Sequence, residues 1–300
     1  MILYYLRALI SLLFYTVNTL FWFAPIFLAG VLKLLPIKPW QAMWSLVAKW
    51  CASRWVGTNS IIQYIFTPTK LVITGNPEFT YKDWYLVVAN HQSWVDILVM
   101  QRVLHKKIPF LNFFLKKELI YVPFLGLAWW ALDFPFMKRA SKSQLKKNPS
   151  LRTKDMETTK KACAKFKHVP VSIVNFVEGT RFTKDKHIRQ KSQFDNLLKP
   201  KAGGVAFVME AMGEQLNKLV DVTICYPKGT PTFFDYLAGK VPEIRVHIEV
   251  KPVSSNWVGN YSNDSEFRVQ FQNELNDLWQ GKDQQLAKLK HTQAAEEVSC

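Results

Sequence analysis

The chain has little that could tie it together covalently. Its four cysteines, Cys51, Cys163, Cys225 and Cys300, form no Cys-x-x-Cys pair and share no regular spacing. That excludes a disulfide framework and a zinc module, and it suits a reducing compartment. Glycine and proline are scarce, 12 and 15 in 300 residues, which excludes collagen-like and low-complexity chains. Acidic residues are the third shortage: 23 Asp and Glu stand against 39 Lys and Arg, a formal net charge of +16. The expected partners are therefore anionic, whether nucleic acid, acidic lipid or phosphorylated metabolites. Apolar residues are plentiful. They make up 49% of the chain, and aromatics 14%, which rules out a disordered basic tail and provides for one large core or two modest ones.

Charge is missing altogether from Ala8 to Leu32. At about 1.5 Å per helical residue this run is long enough for a hydrocarbon core of about 30 Å. A cleaved signal peptide fits less well, because only Arg7 precedes the run, the run exceeds the usual apolar region, and no Ala-x-Ala site follows. An uncleaved anchor is expected, with Asn18 and Pro25 as places for a kink or a re-entrant hairpin. Lys33, Lys38 and Lys49 follow it, so the positive-inside rule favours a cytoplasmic body. From Pro39 to Val56, Trp40, Trp44, Val47, Cys51 and Trp55 recur at helical spacing. That stripe suits either indoles at a membrane interface or a core-facing helix. A third apolar stretch, Leu119 to Leu132, is too short to span and reads as a buried or interfacial helix.

Beyond Ile61 short β-rich runs alternate with helical segments. Strands are expected at Leu71–Thr74, Tyr85–Ala89, Pro109–Phe113, Phe134–Met137, Val171–Val177 and Val220–Tyr226. A further strand, wet on one face, is expected where Ile244, Val246, Ile248 and Val250 alternate with Arg245, His247, Glu249 and Lys251. Helices fit at Trp94–Leu104, Thr153–Lys167, Ala202–Leu216 and from Glu266 onward. The pattern predicts an α/β fold: a mixed, mostly parallel sheet flanked by helices, with an N-terminal membrane-anchoring segment. The division follows as residues 1–60 for the anchor, 61–260 for the α/β domain, and 261–300 for a C-terminal helix and a polar tail that frays beyond Lys282.

Two constellations carry chemistry. Asn90-His91-Gln92-Ser93-Trp94-Val95-Asp96 directly follows the strand Tyr85–Ala89. Residues five apart on one helix are rotated by about 140° and cannot meet. His91 is therefore expected in the strand-to-helix bend, with Asp96 in the first helical turn folding back to the imidazole. An imidazole oriented by a carboxylate is a general base for a hydroxyl, with a substrate hydroxyl in the place of a catalytic serine. The same residues also form an acceptable capping box, Ser93 at the N-cap and Asp96 three residues on.

The second constellation, Glu178-Gly179-Thr180-Arg181, again follows an apolar strand. Gly179 permits close backbone approach, Thr180 supplies a hydroxyl, and Arg181 offers a planar fork for phosphate. Glu178 is expected to hold that arginine or to meet a substrate hydroxyl. An ordinary strand-to-loop turn is the alternative. Ligands of open α/β sheets gather beyond the carboxyl ends of strands, so the shared placement of the two motifs favours a joint site.

His-x4-Asp followed by Glu-Gly-Thr-Arg resembles the glycerolipid acyltransferase family, typified by 1-acylglycerol-3-phosphate acyltransferases and including membrane-anchored bacterial members. The resemblance covers roughly Leu71 to Pro227. It includes Lys117-Glu118-Leu119 with Pro123 and Gly126, and a block at Asp133-Phe134-Pro135-Phe136-Met137-Lys138-Arg139 in which Asp133 replaces the family's glycine. In a last apolar-Pro-apolar block, Asp221 replaces the proline. The resemblance implies that His91, held by Asp96, deprotonates a lysophospholipid hydroxyl that attacks the thioester of acyl-coenzyme A or acyl carrier protein. It also implies that Glu178, Gly179, Thr180 and Arg181 hold the acceptor phosphate, with Arg139 as a second cation. No metal, cofactor or covalent acyl-enzyme is implied. The implied product is phosphatidic acid and the implied location is the inner (cytoplasmic) membrane, with the catalytic domain facing the cytoplasm.

Other acceptors, of the lysophosphatidylglycerol or lysocardiolipin type, fit the same residues. So does a non-catalytic basic protein that binds membrane or nucleic acid, although no helix-turn-helix, zinc-finger or RNP-like signature is present and no nucleic-acid partner is expected. The basic run through Lys138, Arg139, Lys142, Lys146, Lys147, Arg152 and Lys154 suits anionic headgroups or a solvated loop. Lys184, Lys186, Arg189 and Lys191 extend the phosphate-binding field or line a surface loop.

Overall fold

A computed structural model describes residues 2–75, 77–137, 157, 159–161, 163 and 170–291. Two long helices come first, α1 (Ile2–Leu32) and α2 (Lys38–Phe66). The sheet strands are β1 (Lys70–Thr74), β2 (Tyr85–Ala89), β3 (Leu111–Phe113), β6 (Ser172–Phe176), β7 (Lys218–Cys225) and β8 (Glu243–Pro252). Two short strands, β4 (Leu115–Lys116) and β5 (Phe136–Met137), pair separately. The shorter helices are α3 (Val95–Leu104), α4 (Leu125–Ala131), α5 (Lys184–Gln190), α6 (Ala202–Met212) and α7 (Phe233–Leu237), and α8 (Ser265–His291) closes the chain.

The six-stranded sheet runs β1-β8-β7-β2-β6-β3, with every neighbouring pair parallel except β7 with β8. This is the mixed, mostly parallel sheet that the alternation of strands and helices predicts. All of β2 is buried, so its side chains feed two cores in turn. Tyr85, Val87 and Ala89 join the core under α1, α2, α3 and α4. Leu86 and Val88 join the core under α6 and α8, where Phe271, Leu275 and Trp279 are fully buried.

Several expected elements shift. Among the described residues α1 is the one helix long and apolar enough to cross a membrane, and it runs unbroken through Pro25. Asn18 lies within that helix, buried, and donates to Trp55 O at 3.1 Å and Asn59 Oδ1 at 2.9 Å, joining α1 to α2. The Cys51 side of α2 faces the core, and the exposed stripe carries Met43, Leu46 and Trp50 instead. Helix α2 continues to Phe66, past residue 60. Leu119–Leu132 is not one helix, because a 3-10 turn at Lys117–Tyr121 gives way to α4 through Phe124, which has φ of +59°. A Cβ at Gly126 would lie 2.0 Å from Ile120 O, so only glycine fits that reversal. Helix α8 holds its form to His291 with Leu286 and Leu289 buried, where fraying is expected from the polar sequence. Most of the segment Thr153–Lys167 lies outside the described residues, as does the basic run from Lys138 to Lys154.

Both departures from the family pattern have local explanations. Asp133 adopts φ of +62°, a left-handed conformation that glycine takes freely and Asp tolerates, and its carboxylate pairs with Lys33 at the end of α1. Asp221 sits on β7 facing α8, where it pairs with Lys282, a lysine with no solvent exposure.

Candidate active site

Ala89 and Phe176 are register partners at the ends of the adjacent parallel strands β2 and β6. The chain segments that leave those ends are thus side by side. Phe182 N donates to His91 O at 2.7 Å, and the His91 ring stacks on Phe176 with centroids 4.1 Å apart. The two motifs form one site.

The bend after β2 is fixed by Asn90, which is fully buried. Its amide donates to Ile224 O at 2.9 Å and accepts from Ile224 N at 2.8 Å, so the side chain continues the ladder to β7 where the main chain turns away. His91 is consequently free of the sheet. Its Nδ1 lies 2.8 Å from Asp96 Oδ2, and Asp96 has no exposed surface. The same Oδ2 accepts from Gln92 N at 2.6 Å and Ser93 N at 2.9 Å, while Oδ1 accepts from the Tyr226 hydroxyl at 2.6 Å. A carboxylate surrounded by donors is acceptor-only, so the remaining partner, His91 Nδ1, carries the proton. Nε2 is left as the nitrogen that can take one. The expected capping box is not formed: the helix cap is Trp94, with no side-chain cap bond, and Ser93 Oγ accepts from Val95 N at 3.2 Å and donates to Pro231 O at 2.7 Å instead of taking the Asp96 amide.

Glu178 does not meet Arg181. It is fully buried, and its two oxygens accept from His91 N and Leu198 N, each at 2.9 Å. Burial pushes its carboxyl up to about 8, the two amide donors pull it down, and the nearby Asp96 charge raises it. The Leu198 segment is held in turn by α8: Trp279 Nε1 donates to Leu198 O at 3.1 Å, and Asp283 accepts from Asp195 N at 3.0 Å and Asn196 N at 2.8 Å. A line of hydrogen bonds therefore runs from the C-terminal helix to the His91 main chain.

Gly179 has φ of +67°, which favours glycine, and a Cβ there would lie 3.2 Å from Lys201 Nζ. Thr180 Oγ1 accepts from Lys186 Nζ at 2.9 Å, and Lys186 also donates to Arg181 O at 2.9 Å. Arg181 is exposed and lies over the Trp94 ring, 4.8 Å from its centroid, so the indole sets the direction of the guanidinium. Arg139 lies outside the described residues. Among the described residues, no three His, Cys, Asp or Glu side chains are grouped as metal ligands.

Tyr226, Phe176, Trp94 and Leu198 belong to the site although the motif reading assigns them no role. Tyr226 had a signal: it ends the run Val220–Tyr226, a third buried strand whose exit lies beside the other two. Its hydroxyl is held well above the usual tyrosine range by burial and by the adjacent Asp96 charge, so it stays protonated and donates to Asp96 Oδ1.

A family model described as Acyltransferase matches residues 70–227. Lysocardiolipin acyltransferase 1 of Mus musculus is 26% identical over 254 residues, 79% of this chain and 65% of the mouse protein. The 1-acyl-sn-glycerol-3-phosphate acyltransferase 3 of Arabidopsis thaliana is 27% identical over 186 residues, 57% of this chain and 46% of the plant protein. The chain thus spans from about half to just under two thirds of the length of these relatives. The crystal structure of the 1-acyl-sn-glycerophosphate (LPA) acyltransferase PlsC from Thermotoga maritima matches with a TM-score of 0.56 at 17% identity, covering 96% of this chain and 97% of that one. At that identity the likeness is one of fold.

Proposed function

This chain belongs to the acyltransferase family, and from that premise we propose that it is a membrane-associated O-acyltransferase that acylates the free hydroxyl of a lysophospholipid. The observation that carries the reading is the His91 Nδ1 to Asp96 Oδ2 contact of 2.8 Å, in a site that also holds the exposed Arg181. His91 Nε2 takes the hydroxyl proton as the oxygen attacks the thioester carbonyl, and Asp96 steadies the imidazolium. The carbon–sulfur bond breaks as the tetrahedral intermediate collapses, and the thiolate leaves with the proton from Nε2. The ester and the free thiol balance the reaction without a covalent enzyme intermediate.

Arg181 and the Lys186 ammonium at Thr180 suit a phosphate on the acceptor. The preferred acceptor is 1-acylglycerol-3-phosphate, giving phosphatidic acid, with acyl-coenzyme A or acyl carrier protein as donor. The relatives named for lysocardiolipin keep a remodelling role as a second reading. Attachment to the membrane is supported by the exposed apolar stripe of α1, including Leu9, Leu13, Val17 and Phe21, and by Leu46 and Trp50 of α2. The lysines that follow α1 favour a body on the cytoplasmic side of an inner membrane.

His91→Ala in full-length protein, with labelled acyl donors and a panel of lysophospholipids, is the direct test. Loss of ester formation with membrane association retained is expected. Undiminished transfer by that variant sinks the proposal.

A further inference from the structure

The loop that joins α5 to α6 is buried where connecting segments are ordinarily wet: Phe194 is 1% exposed, and Leu197 and Leu198 have no exposed surface. Main-chain groups in such a place need partners, and no sheet ladder supplies them there. Side chains do so instead. His187 Nε2 donates to Phe194 O at 2.6 Å, and Ser192 Oγ donates to Leu197 O at 2.7 Å. Helix α8 adds three more bonds to the main chain. Asp283, 5% exposed, accepts from two consecutive amides, Asp195 N on Oδ2 at 3.0 Å and Asn196 N on Oδ1 at 2.8 Å. Trp279, one turn earlier on the same face of α8, donates to Leu198 O at 3.1 Å.

This loop is what Glu178 meets. Leu198 N donates to one oxygen of that carboxylate, and the other accepts from His91 N. From Asp283 the path to the active site is therefore short: two residues of main chain from Asn196 to Leu198, one carboxylate, then the amide of His91. Helix α8 packs on the sheet face that carries Leu86 and Val88, opposite to the face under α1 and α2, so Asp283 bears on the site from behind. A carboxylate is suited to the task because both of its oxygens accept, whereas the NH2 of an asparagine would face a second donor. The Leu198 amide stays aimed at Glu178 while the main chain from Asp195 to Leu198 keeps its path. A shift of that path releases a Glu178 oxygen and lets the His91 main chain relax with it. Displacing a reacting group by about 1 Å can cost about a hundredfold in rate.

We propose that Asp283 is a positioning residue for acyl transfer: by fixing the Asp195–Leu198 main chain it presents the Leu198 amide to Glu178, and so holds His91 at the reacting hydroxyl. Trp279 assists it through Leu198 O. The proposal rests on the acyl-transfer reading with His91 as base, and extends the working site to a helix that meets neither sequence motif directly.

The test uses full-length protein in detergent, a lysophospholipid acceptor, and acyl-coenzyme A or acyl carrier protein as donor, with rates expressed per folded molecule from denaturant unfolding. Asp283→Asn keeps the size of the side chain and removes one acceptor. It is expected to lower kcat about tenfold with KM for both substrates within about twofold. Trp279→Phe keeps a buried ring and deletes the indole donor, and is expected to lower kcat about threefold in the same way. A double-mutant cycle separates positioning from mere support of the fold. If Asp283 acts through Glu178, the variant carrying both Asp283→Asn and Glu178→Gln falls no more than about twofold below Glu178→Gln alone. Losses that multiply overturn the proposal, as does a rise in KM with kcat preserved. Where Asp283→Asn does not fold, Trp279→Phe takes its place in the cycle with the same outcomes. Undiminished transfer by His91→Ala overturns the acyl-transfer reading and this proposal with it. Loss of transfer in His91→Ala together with unchanged kcat in Asp283→Asn and Trp279→Phe overturns the positioning role alone.

Discussion

The amide N–H of His91 donates to Glu178 Oε1 at 2.9 Å, so each of the two sequence motifs fixes the main chain of the other. The second Glu178 oxygen takes the amide of Leu198, which α8 holds through Trp279. The imidazole thus gains its position from two directions: Asp96 orients the ring and Glu178 anchors the backbone that carries it. Preorganisation of this kind matters because a small displacement of a base from its hydroxyl costs rate steeply.

Glu178 should be visible in the pH dependence of stability. Its carboxyl is raised by burial to about 8, whereas an unfolded glutamate titrates near its ordinary value. Between those values the folded state binds more protons than the unfolded state, so stability falls as pH rises through that window. One such group contributes at most about 1.4 kcal/mol per pH unit. Glu178→Gln is expected to flatten the slope between about pH 5 and pH 8 in denaturant titrations. It should also lower stability by about 1–3 kcal/mol at the acidic end, because its NH2 cannot accept the second amide. An unchanged slope in the variant contradicts this account.

On the proposed mechanism Tyr226 is a positioning residue, since its hydroxyl reaches the proposed base, His91, only through Asp96. Tyr226→Phe keeps the ring in its buried place and deletes the 2.6 Å bond to Oδ1. The carboxylate then loses the donor that sets its rotation, and the imidazolium is less well stabilised in the transition state. The expected result is a fall in kcat of about tenfold with the acceptor KM changed less than about twofold. A rise in KM with kcat preserved would show that the hydroxyl faces substrate instead.

The β2 and β6 strands and both motif turns were legible because each signal is local: an apolar run, then a polar cluster that cannot continue the strand. The bringing together of His91 and Glu178 was partly legible, as strand ends in a parallel sheet share an edge. The role of Glu178 was not. A glutamate beside an arginine reads as its partner, and only the burial of that segment under α8 shows the carboxylate turned inward to two amides. The same limit applies to the Trp40-Trp44-Trp55 stripe. Helical period finds that a face is apolar, but not whether protein or lipid covers it.

Arg181 and Trp94 offer a test of acceptor binding. The exposed guanidinium lies over the indole, its Cζ 4.8 Å from the ring centroid. Arg181→Lys keeps the charge but loses the planar fork and the stacking, so KM for a phosphate-bearing acceptor is expected to rise about tenfold with kcat nearly unchanged. Trp94→Ala, which keeps the arginine but frees its direction, should raise KM by a smaller factor in the same assay. Equal KM values in both variants and the wild type would remove Arg181 from the acceptor site.

Lys282 and Asp221 lead to the sharpest stability prediction. The ammonium is wholly buried between α8 and β7, where it pairs with Asp221 and also donates to Val222 O at 2.8 Å and Thr223 Oγ1 at 3.3 Å. Buried pairs of this kind contribute little net stability because both ions lose their hydration, yet removing one partner strands the other. Lys282→Met is therefore expected to cost about 3–5 kcal/mol, and Asp221→Val a similar amount. The double variant, which replaces both charges with apolar groups of fitting size, should recover most of that loss. A denaturant double-mutant cycle measures the difference directly. Because α8 also holds Leu198 and through it Glu178, the Lys282→Met variant should lose activity on heating before the double variant does. Additive losses in the cycle would mean that the two side chains are not coupled, and the explanation given for aspartate at position 221 would fall with it.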